Sequence, residues 1–158
     1  MGRTPTRHPH RLRLAIVMAA VALPLAAACV PVNSAPSGEI YGRINQIRAQ
    51  NGAGPLAPCG SLARAAQAHA GDMAARGSLT HYGGDGSDPG ARLRRHGYGA
   101  GFWGEVIAGG THTVEGVVGV WMNSPRHRAI LLDRAYRDIG VGVVNGYWVA
   151  DVGAGGAC

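Results

Sequence analysis

Lysine is absent from this chain: all 15 of its basic side chains are arginine. Charged residues make up only 15% of the 158 positions, aromatic residues only 6%, and there is a single phenylalanine. With 46% hydrophobic residues and so little charge, the composition excludes a disordered chain, which needs the reverse balance. Three cysteines without a C-x-x-C spacing exclude zinc ribbons and thioredoxin-like redox motifs. No Gly-x-Ser-x-Gly elbow and no His-Glu-x-x-His helix occurs, so two common hydrolase signatures are missing. No internal repeat is present.

The formal charge of +6 suggests nucleic acid as a partner, but its distribution argues against it. Arg3, Arg7, Arg11 and Arg13 lie in the first segment, which leaves 11 arginines against nine acidic side chains. Those 11 are scattered, apart from Arg92, Arg94 and Arg95, whereas a phosphate footprint clusters on one face. No nucleic-acid partner is expected.

Residues 1–13 are polar and basic, and residues 14–28 (LAIVMAAVALPLAAA) are apolar. Spanning a bilayer takes about 20 apolar residues, more than this run offers. A basic head, a short apolar stretch and small residues at its end describe a secretory signal peptide over 1–28, cut before Cys29; an uncleaved anchor is the alternative. Cys29 has two readings of its own. Leu25-Ala-Ala-Ala-Cys29 is close to a lipobox with its leucine one position early, so Cys29 either carries a lipid or merely follows the cleavage site.

Residues 29–38 form a polar, proline-bearing linker, and about 120–130 residues are left for a single core. Export puts Cys59 and Cys158 in an oxidising compartment, where pairing is expected. Their disulfide would close a loop of 99 residues and stabilise the fold by about 4–5 kcal/mol in the chain-entropy account. It would also pin the Gly-rich tail.

Ile40, Ile44 and Ile47 recur at helical spacing from Glu39 to Gln50, ahead of Asn51-Gly52. A second helix runs to Arg76, with Ser61 as its cap, Gly77 as its stop, and Leu62, Ala65, Ala66, His69 and Met73 on one stripe. Residues 78–88 read as a loop, Pro89–His96 as a short helix, and Thr113–Met122 as a helix burying Val114, Val117, Val118 and Trp121. Residues 139–144 and 147–152 flank Asn145-Gly146, a strong hairpin signal. Helices first and paired strands last imply an α+β domain over 39–158.

Four stretches taken together resemble the CAP superfamily (the SCP-like extracellular domain of cysteine-rich secretory, antigen 5 and pathogenesis-related proteins) in its short bacterial secreted form. They are AAQAHAGDMAARGSLTHYGGDG (65–86), HGYGAGFWGEVIAGG (96–110), VVGVWMNSPRHRAILLD (117–133) and IGVGVVNGYWVADVG (139–153). The resemblance implies a three-layer α-β-α sandwich with a central antiparallel sheet and a cleft above it. It carries the family's cleft positions onto His81, Glu105 and His127. The fourth cleft position, an acid three residues after the helix tryptophan, is Ser124 here, and the asparagine after the family's Gly-Glu is Val106.

Two imidazoles and a carboxylate suit zinc with one open position, His81 and His127 being the ligands and Zn2+ the one cofactor considered. The same trio also suits proton transfer, or a satisfied polar cluster that merely fixes loops. The leading function is a secreted, monomeric, non-catalytic binding module for metal or for a small apolar ligand or lipid. Its alternatives are a metal-dependent hydrolase of extracellular peptide or cell-wall material and a lipid-anchored interaction protein. Enzyme status stays open, and the protein is placed outside the cell or on the outer membrane face.

Other residues carry plainer expectations. His69 is read as a hydrogen-bonded core histidine, His96 and His112 as exposed, Asp85-Gly86 as a turn and Trp121 as core. Trp103 suits core or cleft equally, and Arg128 is a candidate partner for Asp133.

Overall fold

Two glycines set how closely the longest helix lies on the sheet. A Cβ on Gly140 would strike the backbone of Leu62 and Ala63, and one on Gly142 that of Ala66 and Gln67. The computed structural model describes residues 1–2, 35–99 and 101–158, with side chains from Gly38 onward in the domain. Residues 3–34, which hold most of the expected signal segment, Cys29 and most of the expected linker, lie outside the described residues. Two units are distinguished, Met1–Pro31 and Val32–Cys158, and every described element belongs to the second.

That unit runs α1 (Ala35–Gln50), β1 (Ala57–Pro58), α2 (Gly60–Arg76), α3 (Pro89–Arg95), β2 (Phe102–Ala108), α4 (Val114–Asn123), α5 (Pro125–Leu132), β3 (Asp138–Val144) and β4 (Tyr147–Ala154). The four strands lie in the order β1-β3-β4-β2. The β2–β4 and β3–β4 pairs are antiparallel, as expected, while the two-residue β1 adds a parallel edge beside β3.

Strand alternation sorts the side chains into two layers. Val106, Ala108, Trp148, Ala150 and Val152 face α1, α4 and α5, in a core built round Ile40, Ile44, Val117 and Trp121. Ile107 and Val149 point the other way, onto Ala66, Ala70 and Met73 of α2. The structure is therefore an α-β-α sandwich, and Trp121 is core.

Most helix boundaries follow local chemistry. Thr113 accepts from the Gly116 amide at 3.1 Å to cap α4, Asp88 accepts from Ala91 at 2.6 Å to cap α3, and Gly77 ends α2 in the left-handed region. Asn145 and Gly146, both with positive φ, close the β3–β4 hairpin. Two helix starts, and the presence of three further elements, differ from expectation. Helix α1 begins at Ala35, inside the expected linker, because a proline such as Pro36 is compatible with a first helical turn. Helix α2 is capped by the extended backbone of Cys59, not by Ser61, which is already helical and buried. Helix α5 and strands β1 and β2 carried too little periodicity to be assigned from sequence.

Cys59 and Cys158 are disulfide-bonded, with Cα atoms 4.9 Å apart, which ties the tail to the start of α2. Arg48 is fully buried and donates to the carbonyls of Gly54 (2.7 Å), Leu131 (2.6 Å) and Asp133 (3.0 Å), closing the end of α5. Arg128 reaches Asn51 Oδ1 at 3.1 Å instead of Asp133, whose carboxylate accepts from the Ala135 amide.

Gly142→Ala is expected to destabilise by about 1–3 kcal/mol through overpacking against α2. Gly119→Ala, whose Cβ meets nothing within 4 Å, should stabilise by about 0.4–1 kcal/mol. Denaturant melts of both variants check the pair, and equal effects would dispose of the close-approach argument.

Candidate functional site

Strand β2 is an edge strand, so its open side is available to loops from both helical layers. By alternation Trp103, Glu105 and Ile107 share the α2 face, and Glu105 sits opposite Asp151 in the β2–β4 register. Both carboxyls are buried, at 5% and 1% exposure. Burying two acids side by side is unfavourable unless a cation or a proton offsets them.

The cation is Arg92. Its side chain is only 6% exposed, and Nη2 donates to Glu105 Oε2 at 2.6 Å. Nη1 donates to the carbonyls of His81 and Ser87, both at 2.9 Å, so one guanidinium holds the acid and the loop beside it. The other Glu105 oxygen, Oε1, lies 2.7 Å from His81 Nδ1. His81 is about half exposed, and its Nε2 is the ring nitrogen left free of Glu105.

The proton belongs to Asp151. Burial is the larger cause raising its pKa well above 3.8, and the negative charge of Glu105 is the next, against an opposing pull from Arg92. The raised pKa favours a neutral acid beside Glu105, and its Oδ1 is buried without a hydrogen-bond partner.

His127, in the first turns of α5, completes the site from the opposite layer. Its Nδ1 is buried without a hydrogen-bond partner. Burial first, and the nearby His81 second, lower its pKa below 6.5, which favours the neutral imidazole. Ser124 caps α5 by backbone position only and brings no acid.

The structure thus joins His81 to Glu105 directly and brings His127 within electrostatic influence of His81. As three direct metal ligands the trio does not fit: both Glu105 oxygens are engaged, one of them by a guanidinium. Among the described residues no group of three or more His, Cys, Asp or Glu side chains is arranged to hold a metal ion. The two imidazoles taken alone do fit the chemistry of a donor set. His127 Nδ1 is an orphaned buried nitrogen, and Glu105 behind His81 is the carboxylate that orients a ligating histidine.

Other expectations resolve plainly. His69 is buried, and its Nε2 lies 2.8 Å from the Thr80 carbonyl, as a core histidine should. His112 is exposed, but His96 is half-buried, because it ends α3 facing α2. Asp85-Gly86 forms a turn, with Gly86 at positive φ and Asp85 paired to Arg95 at 3.0 Å. Trp103 packs with Leu62, Ala65, Leu93 and Tyr98, in the core beneath α3.

Sequence reasoning missed Arg92 and Asp151. Arg92 was noted only as one of three neighbouring arginines, although it shares the buried stripe of α3 with Leu93. Asp151 carried a signal too, as the single acid within an apolar strand.

A three-layer α-β-α sandwich round a mainly antiparallel sheet is the architecture of an SCP-like domain. The model of the CAP family, the cysteine-rich secretory protein family, matches residues 41–151. The chain belongs to that family. Among solved structures it is similar to an extracellular SCP-domain protein of Bacillus anthracis (28% identity, TM-score 0.71), covering 73% of this chain and 39% of that one. It also shares its fold with an outer surface protein of Borrelia burgdorferi (22% identity, TM-score 0.66), covering 75% of this chain and 91% of that one. A cysteine-rich secretory protein of Staphylococcus aureus matches at 22% identity and TM-score 0.61, covering 79% of this chain and 40% of that one. This chain therefore spans well under half of the Bacillus and Staphylococcus proteins. No curated protein matches it. Among the described residues no helix is long and apolar enough to cross a membrane.

Arg92→Met leaves Glu105 buried without its cation and is expected to cost about 3–5 kcal/mol in a urea melt. A cost under about 1 kcal/mol would mean that Glu105 is not held as described.

The pH response of Asp151 follows from its raised pKa. The folded state keeps a proton that the unfolded chain releases above 3.8, so this group's stabilising contribution is full below 3.8 and is lost as pH rises. The stability of Asp151→Asn relative to the parent should therefore improve between about pH 4 and pH 7. Paired melts across that range test it; a flat difference would place the proton elsewhere.

Proposed function

We propose that this protein is an extracellular binding module whose site is the His81–His127 pair along the edge of β2. The observation that carries this reading is the engagement of both Glu105 oxygens, by His81 at 2.7 Å and Arg92 at 2.6 Å. A general base needs a lone pair within reach of a substrate proton, and this carboxylate is committed to orienting an imidazole instead. The family's other acid position is Ser124, which supplies no replacement. The extracellular relative from Bacillus anthracis and the signal-like first 28 residues support the location outside the cell. Cys29 as a lipid-bearing anchor remains part of the same proposal, with Cys29→Ala expected to release the protein from the membrane fraction.

The ligand class that suits two imidazoles of which one is held by a carboxylate is a divalent metal such as Zn2+, with His81 and His127 as the protein's donors. A small apolar ligand is the second reading, favoured by Leu79 and Tyr82, which stand exposed on the loop that carries His81.

Zinc titration by calorimetry tests the first. Saturable binding near one equivalent is expected in the parent protein and its loss in a His81→Ala/His127→Ala double variant of equal melting temperature. No heat in either protein would remove the metal and leave the apolar ligand. Peptidase or cell-wall hydrolase turnover that disappears in Glu105→Gln would instead establish an enzyme and sink the binding-module reading.

A further inference from the structure

Arg92 also forms part of the wall of a concavity. It is a pocket of about 240 Å³ between α2, the loop that follows it and α3, and it is lined by none of His81, Glu105 and His127. Its walls include His69 and Asp72 from α2, Asp85 and Ser87 from the loop, and Arg95 and His96 from α3. Two glycines let those side chains close in. A Cβ on Gly83 would sit 2.6 Å from Asp85 Oδ1, and one on Gly84 would sit 2.9 Å from Asp72 Oδ1.

The charges of the wall cancel locally. Arg92 is matched by Glu105, Arg95 by Asp85 and Asp72 by Arg76, so no net charge is left to attract an ion. Hydrogen-bonding capacity is what remains.

His69 shows its sense most clearly. The Thr80 carbonyl can only accept, so the His69 Nε2 beside it carries the hydrogen. Burial lowers the ring's pKa and keeps it neutral, which leaves Nδ1 as an acceptor. That nitrogen is buried, has no hydrogen-bond partner and lies on the side of Asp72, 4.0 Å away. An unmade hydrogen bond of this kind costs about 1–3 kcal/mol, which a ligand hydroxyl would recover by donating to it. The carboxylates of Asp72 and Asp85 accept as well, while the outer N–H groups of Arg95 donate.

We propose that this pocket is a second binding site, for a neutral polyhydroxylated ligand about the size of one sugar ring. Each hydroxyl both donates and accepts, which matches a wall of mixed sense and no net charge. The volume lies below the roughly 300–1,000 Å³ of sites for drug-sized ligands, which suits a single ring. An inorganic anion would meet Asp72 and Asp85, and an ammonium would meet Arg92 and Arg95. The inference is independent of metal at His81 and His127.

The test is an amide NMR titration of the parent protein with glucose and with N-acetylglucosamine, each to about 50 mM, well above the about 1 mM level of weak specific binding. Inorganic phosphate and ethylammonium serve as charged probes. Saturable shifts at Asp72, Gly83, Ser87 and His96 are expected with at least one sugar. Affinity should fall at least tenfold in His69→Phe, which removes the acceptor, and stay unchanged in Gly119→Ala, on α4, which lines no part of the pocket. Should His69→Phe fail to fold, Ala68→Phe fills the pocket from the exposed face of α2 and should cause the same loss. No saturable shift with either sugar, shifts that survive the variant, or stronger binding of either ion would overturn the proposal.

Discussion

The buried charge at Glu105 is the constraint around which the site is organised. A carboxylate at 5% exposure is tolerable only with a cation and hydrogen bonds supplied by the fold, and three elements are committed to that task. Helix α3 delivers Arg92, β4 delivers the neutral acid of Asp151, and the loop after α2 delivers His81. Because the same guanidinium also binds the His81 and Ser87 carbonyls, that loop is fixed by the acid it covers. Removing the charge would release the loop along with it. Asp85 and Ser87, which line the neighbouring pocket, would move too.

That arrangement depends in turn on how closely α2 approaches the sheet. Gly140 and Gly142 on β3 admit the α2 backbone where any side chain would hold it off. The small residues Ala65, Ala66 and Ala70 on the facing stripe do the same from the other side. Close packing there sets the position of His69 and, through the Thr80 carbonyl it binds, the start of the loop carrying His81. Local glycine and alanine content thus has a geometric consequence at the site.

Much of this was legible in the chain. Helical stripes, the Asn145-Gly146 hairpin and the Cys59–Cys158 bridge follow from rules that act over a few residues or from the expectation of export. His81, Glu105 and His127 were joined only by the family resemblance, since no local pattern links residues so far apart. Strand β2 escaped because FWGEVIA is neither alternating nor uniformly apolar: its two faces meet different layers, and one of them carries Glu105. Helix α5 escaped because Pro-Arg-His-Arg gives it no apolar stripe, and only Leu131 is fully buried. Arg92 and Asp151 stayed hidden for one physical reason. Charged residues are expected at the surface, and their burial is justified only by a partner supplied from elsewhere in the chain.

The two histidines illustrate how position in the layers divides chemical labour between identical side chains. His81 hangs from a loop, half exposed, with one nitrogen committed to a carboxylate that is itself neutralised by Arg92. His127 grows from a helix in the opposite layer, with its Nδ1 sealed from solvent and unpartnered. Burial first, and the nearby His81 second, lower the pKa of His127 and favour its neutral ring. A neutral imidazole near one that a carboxylate orients offers lone pairs suited to an electrophile or a hydrogen-bond donor.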